Sequence, residues 1–93
     1  MTLSTPEVKR RLREAVNDGS VMYGDHAQKR MVKRGFTVPD VERCLSGGFH
    51  DHGRDELKDG TWRYRIQGKT VDGDDIKVAV AIEDNVVVIT VID

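Results

Sequence analysis

The last third of the chain decides the fold: residues 61–92 read TWRYRIQGKTVDGDDIKVAVAIEDNVVVITVI. Apolar and polar side chains alternate over residues 62–67 and again over residues 76–83, which is the period of two expected of a half-buried strand. The Asp72-Gly73 pair between the two runs is a strong hairpin signal. Residues 86–92 are almost continuously β-branched, which predicts a third strand that is central and buried on both faces. These signals together predict an antiparallel β-meander.

The segments upstream of the meander predict a loop and three helices. Residues 49–60 are polar and rich in Asp, His and Gly, which favours a loop with room for one short edge strand. Three helical patterns come first, each opened by a capping residue and closed by glycine, and they cover residues 4–19, 25–35 and 37–48. Because helices and strands are segregated along the chain, we expect an α+β domain: three short N-terminal helices packed on an antiparallel β-meander of three to four strands. Residues 1–93 are expected to form this one domain.

The second helical segment, residues 25–35, separates charged from apolar side chains. Asp25 is its predicted N-cap and Gly35 its predicted stop. The apolar residues Ala27, Met31 and Val32 are expected to face the core. The opposite side of the helix carries five residues within an arc of roughly 140°: His26, Lys29, Arg30, Lys33 and Arg34. An imidazole beside a row of cations can hold and cleave a phosphodiester, but the same pattern also fits a solvated helix face.

Composition narrows the class of protein. A hydrophobic share of 38% and a charged share of 33% are typical of a soluble globular domain. Neither a membrane-spanning apolar run nor a signal peptide is evident. The single cysteine, Cys44, is expected to be a small core residue. These features together predict a cytoplasmic protein without membrane association. Residues 1–48 carry nine Lys/Arg against six Asp/Glu, whereas residues 49–93 carry six against ten. An anion-binding surface is therefore expected to draw mainly on the first half.

Four short motifs extend along most of the chain: His26-Ala27-x-x-Arg30-Met31-x-x-Arg34-Gly35, Val38-x-x-Val41-x-x-x-Leu45-x-x-Gly48, Tyr64-x-Ile66-x-Gly68 and Val88-Ile89-Thr90-Val91. Together they resemble a group of small bacterial domains related to the MqsR toxins, within the wider RelE-like fold. The resemblance implies an endoribonuclease toxin of a type II toxin–antitoxin system that needs neither a metal nor a cofactor. It also implies two partners, an RNA substrate and a cognate antitoxin, which in such systems often carries an MqsA-like zinc finger.

Toxins of this kind activate the ribose 2′-OH against the adjacent phosphate. The reaction needs a proton acceptor, cations for the developing charge and a donor for the leaving oxygen. An imidazole serves as base or acid, and guanidinium groups hold the phosphate. The candidates for these roles are His26, Arg30 and Arg34 on the second helix and Arg63, Arg65 and Thr90 on the sheet.

The sheet candidates stand out for different reasons. Arg63 and Arg65 share one strand face, and Thr90 is the polar exception in an apolar strand. The MqsR toxins carry their catalytic Lys, Tyr and Arg on the sheet. In this sequence, the sheet positions with matching chemistry are Arg63, Tyr64, Arg65 and Lys77.

Other interpretations stay open. The basic helix face also suits a non-catalytic module that docks nucleic acid or an acidic protein, and a relative of the toxins can keep the fold and lose the chemistry. His50 and His52, flanked by Asp51 and Asp55, allow a metal site, although a polar loop cluster that contacts a partner fits their small number better. The sequence does not set the oligomeric state.

Overall fold

The structure, a computed structural model, describes residues 2–92 and confirms the α+β class. The helices are α1 (Thr5–Asp18), α2 (Asp25–Arg34) and α3 (Val38–Gly47). The strands are β1 (Met22–Tyr23), β2 (Phe49–His50), β3 (Glu56–Lys58), β4 (Thr61–Lys69), β5 (Asp75–Ile82) and β6 (Val86–Ile92), and a single 3₁₀ turn spans His52–Arg54. None of the helices within residues 2–92 has the length and apolar character needed to span a bilayer.

The six strands form one mixed sheet in the order β1-β6-β5-β4-β2, and β3 also pairs with β4. Strands β4, β5 and β6 make the predicted antiparallel meander, and Gly73 in the first turn has a φ of 90°, which glycine adopts readily. The three short strands extend the sheet at its two sides. β1 joins β6 in parallel, and this pairing makes the sheet mixed.

Strand β6 is neither central nor buried on both faces, so that prediction was wrong. β5 is the central strand, and the outer neighbour of β6 is the two-residue β1. Only Val86, Val88 and Val91 of β6 are buried, whereas its other residues are partly exposed. A β-branched run favours the extended conformation whichever face it presents, so it does not by itself report burial on two faces.

Helix α2 begins one residue earlier than predicted, with Gly24 as its N-cap in place of Asp25. The Gly24 N–H donates to the Val88 carbonyl at 3.0 Å, and its own carbonyl accepts from the Gln28 N–H at 3.0 Å. The backbone bond to β6 fixes the chain just before the helix, which makes Asp25 the first helical residue. Gly35 ends the helix with a φ of 72°, as predicted.

One hydrophobic core joins the three helices to one face of the sheet. Helix α2 contributes Ala27 and Met31, whereas Val32 is 83% exposed, contrary to prediction. Val32 follows Ala27 by five residues and is therefore rotated by roughly 140° from it, which carries it away from the narrow stripe that a ten-residue helix buries. Cys44 is fully buried, as predicted, and burial raises the pKa of its thiol to about 12.

The other sheet face, called the open face, is defined by the β4 residues Arg63, Arg65 and Gln67 and the register partners beside them. Residues that are partners in a ladder project from the same face of a sheet. Three rows result: Glu56, Arg63, Ala81 and Val87; Arg65, Ala79 and Thr90; and Phe49, Gln67, Lys77 and Ile92. Most of these side chains are partly or fully exposed, in contrast to Tyr64 and Ile66 between them, which are buried.

Candidate functional site

A depression of about 150 Å³ on the open face brings three arginines together. Its lining residues are Arg54, Glu56, Arg63, Tyr64, Arg65, Ala79, Thr90 and Ile92. All three arginines come from the acidic second half of the chain, whereas the charge count favoured the first half for an anion-binding surface. The alternation along β4 places Arg63 and Arg65 on this surface, and the 3₁₀ turn His52–Arg54 adds Arg54.

The centre of the depression is a row of three side chains across the meander. Ala79 on β5 has Arg65 of β4 as one register partner and Thr90 of β6 as the other. The alanine side chain is short, so the longer side chains on both sides stand above it. The short side chain at the centre of this row explains why the surface is concave there.

Thr90 faces the depression because of a β-bulge in β6. Val88 pairs with Val80 and Thr90 pairs with Ala79, so Ile89 is an extra residue in the ladder. In a regular strand Thr90 would share a face with Val88, which is fully buried in the core. The bulge reverses the alternation and turns the Thr90 hydroxyl to the arginine side.

Arg63 carries an unused hydrogen-bond donor. Its Nε is buried and, among residues 2–92, has no hydrogen-bond partner. Buried polar groups in proteins are nearly always hydrogen-bonded, so a lone donor calls for a ligand or water that satisfies it. To donate to an oxyanion in the depression, this buried Nε would have to become accessible, whereas the exposed Arg54 and the partly exposed Arg65 already face solvent.

Glu56 adds a carboxylate to the rim. It lies on β3 as the register partner of Arg63, and its side chain is exposed. The depression thus combines cations for an oxyanion with one carboxylate that can accept a proton and one hydroxyl. This combination is able to bind a phosphate and to take a proton from a neighbouring hydroxyl.

Arg54 and Glu56 were missed because their segment was assigned mainly to a loop. The signal that would have found them is a second Asp-Gly pair, Asp59-Gly60, placed between Lys58 and Thr61. Asp59 has a φ of 52° and Gly60 a φ of 81°, as in the two-residue turn of a tight hairpin. The hairpin pairs β3 with β4 and brings Glu56 beside Arg63.

The candidates on α2 lie elsewhere. His26 is exposed and Arg30 is partly buried, while the Arg34 guanidinium carbon lies 5.7 Å from the centre of the Phe36 ring. Helix α2 packs through Ala27 and Met31 into the core on the covered side of the sheet. The structure therefore brings Arg63, Arg65 and Thr90 together, and none of the α2 candidates lines the same depression.

His50 forms a separate buried cluster. Its Nδ1 lies 2.8 Å from the Thr5 hydroxyl and its Nε2 lies 2.8 Å from an Asp55 carboxylate oxygen. The carboxylate accepts from Nε2–H, which leaves Nδ1 to accept from the hydroxyl. The His50 side chain itself has no exposed area, whereas its partners Thr5 and Asp55 line a cavity of about 530 Å³. We interpret this hydroxyl–imidazole–carboxylate arrangement as the tie that holds the first turn of α1 against β2 and the 3₁₀ turn.

This geometry argues against a metal site at His50 and His52. Both ring nitrogens of His50 already have partners within the protein. In the part of the chain that the structure describes, no three His, Cys, Asp or Glu side chains converge as metal ligands would. His52, by contrast, is exposed.

The fold and the depression define a class: an α+β domain with helices on one sheet face and an arginine-lined hollow on the other. The chain belongs to the family described as "Domain of unknown function (DUF4258)", whose model matches residues 23–93. The match includes the whole meander and every residue proposed for the depression. No curated protein and no solved structure matches the chain. The family description names no toxin, so kinship with MqsR and RelE is part of the proposal that follows.

Proposed function

We propose that the protein is a metal-independent endoribonuclease toxin of the RelE/MqsR type that cleaves RNA on the open face of its sheet. The observation that carries the proposal is the convergence of Arg54, Arg63 and Arg65 with Glu56 and Thr90 around one depression. The toxin resemblance of the four sequence motifs supports it independently. A cytoplasmic location and a cognate antitoxin partner belong to the same proposal.

In the proposed reaction the arginines hold the scissile phosphate. Guanidinium groups bind phosphate oxygens through paired hydrogen bonds and keep their charge at any physiological pH. Their positive charges also stabilise the additional negative charge of the pentacoordinate phosphorane.

The proton of the 2′-OH goes to the Glu56 carboxylate as the 2′-oxygen attacks phosphorus. The bond from phosphorus to the 5′-oxygen breaks, and the 5′-oxygen takes a proton from water. The hydroxide that remains takes the proton from Glu56, which regenerates the carboxylate. The products are a 2′,3′-cyclic phosphate and a 5′-hydroxyl, so no metal or cofactor enters the balance. The Thr90 hydroxyl donates to the Val91 carbonyl at 3.2 Å, so from the opposite rim its oxygen accepts a hydrogen bond from the substrate.

A second candidate function follows from the chemistry of the lining. Among residues 2–92, those that line the depression include no histidine and one carboxylate residue, Glu56. A module that binds RNA through the arginines without cleaving it fits the same surface. His26, Arg30 and Arg34 have no step in either scheme.

The test is RNA cleavage by the purified protein in excess EDTA, with free single-stranded RNA and with mRNA on translating ribosomes. We expect cleavage that leaves 2′,3′-cyclic phosphate ends. We expect Glu56→Gln to lower the rate about 10²- to 10⁴-fold, the usual contribution of a general base, without weakening RNA binding. Glu83→Gln, an exposed glutamate in the β5–β6 turn, is the matched control.

Two results would reject the proposal. One is intact RNA in both settings together with normal growth on induced expression. The other is cleavage that Glu56→Gln and Arg65→Ala leave unchanged. RNA binding without cleavage would select the binding module instead.

A further inference from the structure

Phe49 is a large aromatic residue that the fold leaves 64% exposed. It lies on the edge strand β2, where its neighbour His50 is buried on the covered side. Because side chains alternate along a strand, Phe49 points to the open face, beside its register partner Gln67. An aromatic ring is therefore presented on the same surface as the arginine-lined depression.

The ring borders a cavity of about 570 Å³ at the edge of the sheet. Arg43 at the C-terminal half of α3 and Lys69 at the end of β4 also line it, as does Gln67. Gly48 keeps the connection between α3 and β2 tight, since a Cβ there would lie 2.3 Å from the Cys44 carbonyl oxygen and 2.6 Å from that of Gln67. The cavity thus has an aromatic wall and cations at its rim.

The charges around the cavity are only partly neutralised. Lys69 pairs with Asp75, whereas Arg43 is exposed. The carboxylate of Asp51 accepts a hydrogen bond from the Gln67 amide at 3.0 Å, which holds that side chain in one orientation. The cavity rim therefore offers a fixed amide beside the ring and a cation at its far side.

The position of Phe49 relative to Arg65 connects the cavity to the depression. Arg65 precedes Gln67 by two residues on β4, so Phe49 and Arg65 are diagonal neighbours in the antiparallel pair. Diagonal neighbours on one sheet face lie roughly 7–8 Å apart, within reach of aromatic and long side chains. A base and its own phosphate are separated by one ribose, so a phosphate held at Arg65 leaves the adjoining base within reach of Phe49.

We propose that Phe49 is the stacking platform for an unpaired base of the RNA substrate, next to the phosphate that Arg65 holds, and that Arg43 contacts the following phosphate. The inference rests on the proposed function and adds a subsite to it. Exposed aromatic rings interleaved with cations are the usual surface for single-stranded nucleic acid, whose bases are free to stack. Every base has a π-face, so this subsite adds affinity with little sequence preference.

The test measures binding of a ten-nucleotide single-stranded RNA with 2′-O-methyl riboses, which cannot be cleaved, by fluorescence anisotropy. We expect Phe49→Ala to raise Kd by about 5- to 150-fold, the range for loss of one base–aromatic stack, and Phe49→Trp to restore binding. Leu57→Ala is the matched control, because Leu57 is 56% exposed on the neighbouring β3 but pairs with Trp62 and faces the other side. Circular dichroism and thermal unfolding verify that each variant is folded.

A second series locates the stacked base. An abasic site is moved along the oligonucleotide, and at one position we expect the difference between wild type and Phe49→Ala to disappear. If Phe49→Ala binds as tightly as wild type, or loses the same affinity for every abasic oligonucleotide, the platform is refuted. The platform is also refuted if Phe49→Ala weakens binding of a protein partner but leaves RNA binding unchanged.

Cleavage assays separate this inference from the proposed function. If wild type cleaves RNA and Phe49→Ala has an unchanged KM, the platform is wrong and the nuclease stands. If binding depends on Phe49 but no RNA is cleaved, the platform stands and the nuclease is wrong. If wild type neither binds nor cleaves RNA, both are rejected.

Discussion

Thr90 on β6 is the register partner of Ala79 on β5, although Val88, two residues before it, is the partner of Val80. The extra residue between them, Ile89, places the Thr90 hydroxyl on the same sheet face as Arg65. Bulges commonly re-aim side chains beside functional sites. The bulge thus has a use in this fold: it brings the one hydroxyl of β6 to the arginine-lined depression.

The hydroxyl of Thr90 is the first target for substitution. Thr90→Val keeps the shape of the side chain and its strand preference while it removes the hydroxyl, so we expect a change in stability below about 1 kcal/mol. We expect RNA cleavage to fall about tenfold, the effect of one lost hydrogen bond in the transition state. Thr90→Ser retains the hydroxyl and is expected to restore most of the rate. Equal rates for Thr90→Val and wild type would show that the hydroxyl has no contact with the substrate.

The arginines of the depression predict a salt dependence. Each phosphate contact with a single strand contributes about −0.7 to the slope of log K against log salt concentration. Arg65→Ala is therefore expected to reduce the magnitude of this slope by about 0.7. Arg10→Ala is the control, because Arg10 lies exposed on α1 and pairs with Glu14. Titrations of labelled RNA at four or more salt concentrations measure the slope, and identical slopes for Arg65→Ala and Arg10→Ala would remove Arg65 from the RNA surface.

The His50 cluster predicts a loss of stability without any direct role in chemistry. His50→Ala leaves Thr5 and Asp55 without their partner and opens a cavity beside Tyr64, whose ring centroid lies 5.6 Å away. We expect the free energy of unfolding to fall by about 2–4 kcal/mol. For a domain of this size that lowers Tm by roughly 10–30 °C.

His52→Ala is the matched control for His50, since the two histidines are close in sequence and His52 is exposed. Its effect on unfolding is expected to be within about 0.5 kcal/mol. Scanning calorimetry compares the two variants directly. If both variants unfold at the wild-type temperature, the tie between α1 and the sheet edge does not stabilise the fold.

The C-terminal ends of the helices and the long hairpins were predictable because their signals are local. Gly35 and the Asp72-Gly73 pair act through their own backbone conformations, which neighbouring residues rarely override. The exposure of Val32 was not predictable in the same way. The exposure of Val32 depends on the width of the helix surface that α2 buries against β6, and this width is set by tertiary packing.

The site was predictable in its residue types and only partly in its location. The alternation on β4 placed Arg63 and Arg65 on one face correctly. The position of Thr90 on that face depends on a bulge that the run of β-branched residues in β6 does not reveal. The position of Glu56 beside Arg63 depends on the short hairpin between β3 and β4. That hairpin was not predicted, because its segment was assigned mainly to a loop.

His26 offers the sharpest comparison between the two groups of candidates. Helix α2 contributes no lining residue to the depression, and His26 is exposed at the start of that helix. If the reaction occurs on the open face, His26→Ala is expected to keep the cleavage rate within about twofold of wild type, since it removes no interaction made in the transition state. Lys29→Ala, on the same exposed helix face, controls for the loss of positive surface. The measurement is the initial rate of cleavage at saturating RNA. If His26→Ala loses 100-fold or more while Lys29→Ala and Glu56→Gln keep the wild-type rate, the reaction takes place at α2 and not on the sheet.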